Sequence, residues 1–310
     1  MKALILGAQG QLGQALLSEA PEDAICTGVT RPQLDVTDHE AVDRLVEDSQ
    51  PDFIFNAAAY TAVDRAETDE DKARAVNALA VGNLSAAARR HGALLVHTST
   101  DFVFDGLSGV PYARTALPNP VNAYGRSKYA GERLAGEGAL IVRTAWLYSP
   151  GSDNFVATML RLMREKPQLN VVWDQYGTPT LVSGLAAALW QLACANIRGI
   201  HHYTDAGVAS WFDFAIAIQE EALACGLLDQ AVPVRPVSHA DFNLAAPRPR
   251  FTVLDKSETY DALGYAAPHW RSNLRMLLQE KAFIERLHAI SAGISAATHG
   301  EFGGGAWRQS

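Results

Sequence analysis

Short apolar runs alternate with amphipathic stretches over residues 2–146 of the chain, and each apolar run is bounded by glycine, proline or small polar residues. A short apolar run predicts a buried strand, and an amphipathic stretch predicts a helix with one face toward a core. The predicted strands are residues 2–6, 24–29, 53–55, 94–97 and 140–143. The predicted helices are residues 14–19, 40–47, 70–90 and 124–134. Strict strand–helix alternation predicts an α/β fold with a Rossmann-type doubly wound parallel sheet.

The pattern becomes less regular after residue 148. It predicts helices at residues 154–165, 181–197 and 210–225 and strands at 169–173 and 200–203. We therefore expect residues 1–148 to form the Rossmann-type domain, with a later segment, about 168–205, returning to it. Residues 149–290 would mainly form a smaller C-terminal α/β domain. Residues 291–310, which include three consecutive glycines, would form a flexible tail.

The composition and charge of the chain disfavour several classes of function. The chain has 310 residues, 48% of them hydrophobic, which is ample for a sizeable core. The net charge of −8 disfavours nonspecific nucleic-acid binding but allows a local basic pocket. The three cysteines are widely spaced, and the N-terminus lacks the apolar core of a signal peptide, so we expect a cytoplasmic protein. The longest apolar run, residues 181–197, contains polar residues and predicts a buried helix, so we expect no membrane span.

A glycine-rich turn directly follows the first predicted strand, with Gly7, Gly10 and Gly13 in a GxxGxxG spacing. Strand, glycine turn and helix in this order place backbone N–H groups and a helix N-terminus where a pyrophosphate binds, so the turn predicts a dinucleotide site. Arg31 follows the second strand, where an acidic residue would bind the adenosine ribose. An arginine there favours the 2′-phosphate of NADPH, although NADH is not excluded.

The next strands also deliver polar or small residues to their carboxyl ends. Asn56 and three alanines follow the third strand, and Thr98, Ser99, Thr100 and Asp101 follow the fourth. Ligands of open parallel sheets lie at this edge, and small side chains let the backbone approach a cofactor. A hydroxyl at this edge can hydrogen-bond a substrate carbonyl, although such residues also cap helices and turns.

Tyr124 and Lys128 are four residues apart in a predicted helix, so they share one helix face. A phenol is a poor acid–base group at neutral pH, but a neighbouring ammonium stabilises the phenolate. We therefore expect Lys128 to lower the pKa of Tyr124, which would act as a proton donor.

These motifs together resemble the extended short-chain dehydrogenase/reductases. Within that group the chain is similar to the dTDP-4-dehydrorhamnose reductase family over residues 2 to about 280. The likeness is carried by the glycine turn and by the segments 56–64, 98–106, 124–128, 143–146 and 174–180. Phe102 departs from the tyrosine usual in the family, and residues 247–255 match it more loosely.

The resemblance implies reduction of the C4 ketone of a dTDP-4-keto-6-deoxy sugar, most simply dTDP-4-dehydro-L-rhamnose to dTDP-L-rhamnose. Tyr124 would protonate the alkoxide, Lys128 would tune Tyr124 and hold the nicotinamide ribose, and Thr100 would hydrogen-bond the carbonyl. The implied NADPH contacts are Gly7, Gly10, Gln9, Gln11, Leu12, Arg31, Asp35, Val36, Ala57, Ala58, Ala59, Thr98, Ser99, Tyr124 and Lys128. The implied substrate contacts are Tyr60, Val63, Asp101, Phe102, Trp146, Gln175, Thr180 and Arg250.

Alternatives remain at this stage. The same tyrosine and lysine serve other nucleotide-sugar 4-keto reductases, including those that form 6-deoxy-talose, as well as epimerases and dehydratases. A dehydratase would need two acids beside Thr100, and Asp101 with Phe102 supplies one. A noncatalytic NADP-binding regulatory subunit is the third alternative. Some family members form a homodimer through Mg²⁺, and the sequence identifies no residues for such a site.

Overall fold

The computed structural model describes residues 1–151, 153–242 and 244–300. Its strands, in chain order, are β1 Lys2–Leu6, β2 Ile25–Val29, β3 Phe53–Asn56, β4 Leu94–Thr100, β5 Leu140–Thr144, β6 Leu147–Tyr148, β7 Leu169–Val172, β8 Tyr176–Gly177, β9 Thr180–Leu181, β10 Gly199–His202, β11 Ala209–Ser210 and β12 Val234–Val237. Its α-helices are α1 Gln11–Ser18, α2 His39–Ser49, α3 Val63–Ala66, α4 Glu70–Arg74, α5 Ala80–His91, α6 Ala123–Ala135, α7 Phe155–Glu165, α8 Val182–Cys194, α9 Trp211–Cys225, α10 Ser257–Leu263 and α11 Trp270–Gly300.

Six strands form the central sheet in the order β10-β5-β4-β3-β1-β2, and all of its strand pairs are parallel. The predicted α/β fold is confirmed. Helices cover both faces, which is why the strands are almost continuously apolar. Along β1, for example, Ala3 and Ile5 pack with α1 and α8, whereas Leu4 and Leu6 pack with α2 and α5 on the other face.

Two predicted helices differ in detail. Helix α1 begins at Gln11, three residues earlier than the apolar pattern indicates, because Gly10 already serves as its N-cap. The predicted helix 70–90 consists of α4, a π-helical turn over Ala75–Leu79, and α5. A π-turn has no periodic sequence signature, so the hydrophobic pattern did not show it.

The C-terminal half is only partly anticipated. Within the segment about 168–205, β10 joins the central sheet and α8 packs on it, but β7 pairs with β12 in a separate two-stranded sheet. We had not predicted β12, α10 or α11, and Pro236 within β12 argues against a strand in the sequence. The expected tail, residues 291–310, starts within α11, and residues 301–310 lie outside the described residues.

No helix in the described part of the chain is both long and apolar enough to cross a membrane. All three cysteines are free thiols.

The π-turn and α6 are in unusually close contact at Gly131. A Cβ atom built on Gly131 lies 2.0 Å from the carbonyl oxygen of Asn77, a backbone atom that cannot rotate away. We predict that Gly131→Ala lowers the free energy of unfolding by about 1–3 kcal/mol, because overpacking exceeds the gain in helix propensity of about 1 kcal/mol.

Chemical denaturation measures this change. Gly138→Ala is the matched control, since a Cβ on Gly138 meets nothing within 4 Å. A Gly131→Ala variant as stable as the control would contradict the close contact.

Candidate active site

A continuous groove lies at the carboxyl ends of β1, β3 and β4, beside the point between β1 and β3 where the strand order reverses. This topological switch point is where open α/β sheets bind ligands. Two cavities of about 390 and 650 Å³ form the groove, and both are lined by Gln9, Gly10 and the alanines 57–59. The smaller cavity extends toward Arg31, and the larger one toward Tyr124 and Trp146.

The glycine turn at the centre of this groove is shaped for close backbone approach. Gly7 has φ +78°, and a Cβ on it would lie 2.8 Å from the amide nitrogen of Ala58. Gly10 caps α1 without any side-chain hydrogen bond to the first turn. The first amide N–H groups of α1 therefore have no intrahelical partner and remain available to an anion.

The residues present fit a nicotinamide dinucleotide. Every residue that the sequence assigned to the cofactor lines one of the two cavities. The smaller cavity has Gly7, Arg31, Asp35 and Val36, the larger has Gln11, Leu12, Thr98, Ser99, Tyr124 and Lys128, and Gln9, Gly10, Ala57, Ala58 and Ala59 line both. The groove thus joins a basic end to the three predicted catalytic residues.

Thr100, Tyr124 and Lys128 converge in the larger cavity. Thr100 ends β4, and Tyr124 and Lys128 lie in the first turns of α6, which starts at an Asn122 side-chain cap. The ammonium group of Lys128 donates a hydrogen bond to the backbone oxygen of Thr98, with a distance of 2.6 Å. This bond holds the lysine against the end of β4, beside the tyrosine.

The pKa of Tyr124 is shifted in the direction opposite to our expectation. The pKa of Tyr124 is raised to about 12: burial is the largest cause, a hydrogen bond with Thr100 opposes the rise, and the nearby Asp101 carboxylate adds to it. The cost of desolvating a phenolate is therefore the largest effect in this structure. Tyr124 is a neutral phenol throughout the physiological range, which is the form that donates a proton.

Lys128 is itself buried, and burial lowers its pKa to about 8 while the carboxylate of Glu132 opposes the shift. Lys128 is thus mostly cationic at neutral pH, although its pKa of about 8 lies only a little above that pH. Glu132 lies four residues after Lys128 on α6, on the same helix face. One helix face thus presents phenol, ammonium and carboxylate in succession.

Asp101 is a buried acid next to Thr100. The Thr100 hydroxyl donates to Oδ1 of Asp101 over 3.0 Å, while Oδ2 is buried without a hydrogen-bond partner. Burial raises the pKa of Asp101 to about 6, although hydrogen bonds from Thr252 and Thr100 counteract the rise. Asp101 is therefore a second group in the larger cavity, beside Lys128, whose pKa lies near the neutral range.

The remaining predicted substrate residues divide into two groups. Trp146 lines the larger cavity together with Asp101, and Tyr60 lines the smaller one. Outside both linings are Val63, Phe102, Gln175, Thr180 and Arg250. Phe102 packs edge-on against the ring of Tyr124, with ring centroids 6.0 Å apart.

Thr180 is fully buried and its hydroxyl donates to the backbone oxygen of Thr178. Arg250 is exposed, whereas Arg248 forms a two-bond ion pair with Asp64 at 2.7 and 3.1 Å. That pair joins the segment after β3 to the C-terminal half of the chain.

Asn77 supports the candidate active site, and the sequence motifs assign it no role. Its side chain bonds the backbone N–H and oxygen of Tyr60, at 2.8 and 3.0 Å, and donates to the hydroxyl of Ser127 at 3.0 Å. Ser127 in turn donates to the backbone oxygen of Tyr124. Asn77 therefore ties the π-turn to both Tyr60 and the catalytic helix. Its only sequence signal is a polar residue within an otherwise apolar helix face.

Among the described residues, no group of three or more histidine, cysteine or acidic side chains is arranged to hold a metal ion.

A Rossmann-type sheet, a glycine cradle and a Thr/Tyr/Lys cluster at one strand edge are the features of the extended short-chain dehydrogenase/reductase class. A family model described as the RmlD substrate binding domain matches residues 1–283. The dTDP-4-dehydrorhamnose reductase of Mycobacterium tuberculosis strain H37Rv is 42% identical over 293 residues, covering 91% of this chain and 93% of that protein. The chain belongs to the dTDP-4-dehydrorhamnose reductase family.

Two further relatives agree with this assignment. The dTDP-4-dehydrorhamnose reductase of Burkholderia thailandensis is 40% identical over 285 residues, covering 87% of this chain and 96% of that one. The crystal structure of dTDP-4-dehydrorhamnose reductase from Bacillus anthracis in complex with NADP superposes with a TM-score of 0.85. It is 37% identical in sequence, and the match covers 90% of this chain and 99% of that chain.

Proposed function

We propose that this protein reduces the C4 ketone of a dTDP-4-keto-6-deoxy sugar with NADPH, converting dTDP-4-dehydro-L-rhamnose to dTDP-L-rhamnose. The observation that carries the proposal is the convergence of Thr100, Tyr124 and Lys128 in one cavity that continues into the glycine cradle. The names of the relatives, and the NADP complex of one of them, support the choice of substrate and cofactor.

The residues of the groove would hold the cofactor by its charged and polar parts. The glycine turn and the N-terminus of α1 would bind the pyrophosphate, and Arg31 would face the 2′-phosphate. Lys128, at the far end, would hold the nicotinamide ribose. NADPH, when bound, supplies the hydride that reduces the ketone.

The chain's own contribution is to polarise the ketone and to deliver the proton. Tyr124 would donate its phenolic hydrogen to the developing alkoxide, and Thr100 would hydrogen-bond the same oxygen. Lys128 would stabilise the phenolate that remains after the proton has left. A pKa of about 12 keeps Tyr124 protonated in the protein without substrate, so the proton is already on the donor when the substrate binds.

The direct test is the loss of absorbance at 340 nm when dTDP-4-dehydro-L-rhamnose, made in situ, is added with NADPH. We expect rapid oxidation of NADPH, and nuclear magnetic resonance of the product to give the C4 configuration of rhamnose. No oxidation in the presence of a binding-competent cofactor would refute the proposal. A talose configuration would redirect it to the 6-deoxy-talose-forming reductases.

Arg31 carries the predicted preference for NADPH over NADH. We expect Arg31→Ser to raise the KM for NADPH about 10- to 100-fold, because one charge-assisted hydrogen bond contributes about 1.5–3 kcal/mol. The KM for NADH should change by less than about twofold, since that cofactor has no 2′-phosphate to lose. Both constants follow from the 340 nm assay at saturating sugar.

Arg44→Ser is the matched control, because Arg44 is an exposed arginine paired with Glu40 on α2 and lies outside both cavity linings. Equal increases of the two KM values in Arg31→Ser would show that Arg31 does not read the 2′-phosphate.

A further inference from the structure

Trp146 has an unusual backbone conformation for a large residue. Its φ angle is +48°, in the left-handed region that bulky side chains rarely adopt. Such a conformation costs about 1–3 kcal/mol and persists where surrounding contacts hold it. Trp146 lies two residues after the end of β5 and lines the larger cavity with Thr100 and Tyr124. The contacts that hold it therefore decide the shape of the wall opposite the catalytic residues.

The first of these contacts is a stacked pair of indoles. The rings of Trp146 and Trp211 have centroids 3.5 Å apart and planes inclined by 8°. Trp211 is itself fixed, because it starts α9 behind a reciprocal cap between Ser210 and Asp213, and its ring also packs on Phe155 at 4.6 Å. One face of the Trp146 indole is thus covered by the ring of Trp211, which is held in place by the helix cap and by Phe155.

The second contact comes from the segment 174–180. A Cβ atom on Gly177 would lie 2.7 Å from Cε2 and 2.8 Å from Nε1 of the Trp146 indole, so only hydrogen fits at this position. The backbone oxygen of Trp146 accepts a hydrogen bond of 3.1 Å from the amide of Thr180. The pairing of Gly177 with Ala209 places this segment beside Trp211.

These contacts give the segment 174–180 a different task from the one that the resemblance implied. Gln175 and Thr180 were expected to contact the substrate, yet neither lines the groove. Both β8 and β9, which the segment forms, lie against Trp146, through Gly177 and through the amide of Thr180.

We propose that Trp211 and Gly177 clamp the indole of Trp146 and are positioning residues for the sugar in the larger cavity. The proposal rests on the proposed function, since it assumes that a keto sugar occupies this cavity. Trp211 and Gly177 act through Trp146 and do not line the cavity themselves. The clamp should therefore affect binding of the sugar and leave binding of the cofactor unchanged.

The test compares Trp211→Leu, Trp211→Phe and Gly177→Ala with the unmodified protein. We expect Trp211→Leu and Gly177→Ala to raise the KM for the keto sugar about 3- to 10-fold, the range that the loss of an aromatic pair produces. The KM for NADPH should stay within about twofold. Trp211→Phe keeps an aromatic face and should recover most of the loss. Trp173→Leu, which removes an exposed tryptophan outside the groove lining, is the control.

Far-ultraviolet circular dichroism reports on the clamp without any turnover. Two indoles stacked face to face give a coupled band, which both Trp146→Phe and Trp211→Phe should abolish and Trp173→Leu should retain. A band that survives either of the first two substitutions would overturn the clamp. So would a Trp211→Leu variant with unchanged sugar KM, or with sugar and NADPH KM values raised equally. Absence of turnover in the unmodified protein would refute the proposed function, and the dichroic band would still decide the clamp.

Discussion

Replacing Tyr124 with phenylalanine is expected to lower kcat about 100- to 10,000-fold, the usual contribution of a positioned acid or base. The ring remains, so its edge-on packing with Phe102 is kept, and only the hydroxyl is lost. The alkoxide then loses its assigned proton donor. The KM for NADPH should change by less than about twofold, because the glycine turn and Arg31 are untouched.

Tyr129→Phe is the matched control on the same helix, because the Tyr129 ring packs with Val103 and Phe104 away from the cavity lining. It should retain the kcat of the unmodified protein. A Tyr124→Phe variant that loses less than about tenfold in kcat would contradict the assigned role. Asp101 would then be the next proton donor to test, since its carboxyl group is buried in the same cavity and its pKa is about 6.

The sequence was most informative where a function depends on local geometry. The spacing of Gly7, Gly10 and Gly13 after a strand, and that of Tyr124 and Lys128 on one helix, are set by neighbouring residues. Parallel strands bring their carboxyl ends to one edge, which is why residues from separate motifs could be expected in one groove. The central sheet could likewise be predicted, because the alternation of strands and helices is also a local pattern.

The parts that were missed depend on distant contacts. Lys128 was expected to lower the pKa of Tyr124, but burial, which no local pattern reveals, has the larger effect. The segment 174–180 could be recognised as a motif, but its contact with Trp146 depends on the pairing of β8 with β11 and of β9 with β6. Likewise, Arg143 was visible only as part of a motif, and its partner lies on a different element.

Arg143 and Glu132 form a fully buried ion pair beneath the catalytic helix. Arg143 donates to both oxygens of Glu132, at 2.8 and 2.7 Å, and the hydroxyl of Ser99 donates to the same carboxylate at 2.5 Å. The two side chains are 1% and 2% exposed, and the guanidinium group also lies 5.0 Å over the ring of Phe104. Both partners are therefore almost fully withdrawn from solvent.

We expect Arg143→Leu to lower the free energy of unfolding by about 3–5 kcal/mol, because it leaves the Glu132 carboxylate buried without its cation. A loss of this size is a large part of the total stability of a typical domain, which is about 5–15 kcal/mol. Chemical denaturation and the melting temperature measure it. Arg161→Leu is the control, since Arg161 pairs with Glu165 on an exposed helix face and should cost only about 0.3–0.5 kcal/mol.

The double variant Arg143→Leu with Glu132→Leu distinguishes two contributions to stability. One is the net stabilisation by the ion pair, and the other is the cost of burying an unpaired carboxylate. An apolar pair of similar volume is often as stable as a buried ion pair, so we expect the double variant to regain most of the stability that Arg143→Leu loses.

The double variant should nevertheless not regain full activity, because the carboxylate of Glu132 raises the pKa of the neighbouring Lys128 against the effect of burial. Without that carboxylate the pKa of Lys128 falls below its present value of about 8, and the lysine begins to lose its charge at a lower pH. The decline of kcat/KM with rising pH should therefore begin earlier in the double variant. A double variant as unstable as Arg143→Leu would show that Arg143 acts through packing on Phe104. An unshifted pH profile would show that removing the Glu132 carboxylate together with the Arg143 cation has no net effect on the pKa of Lys128.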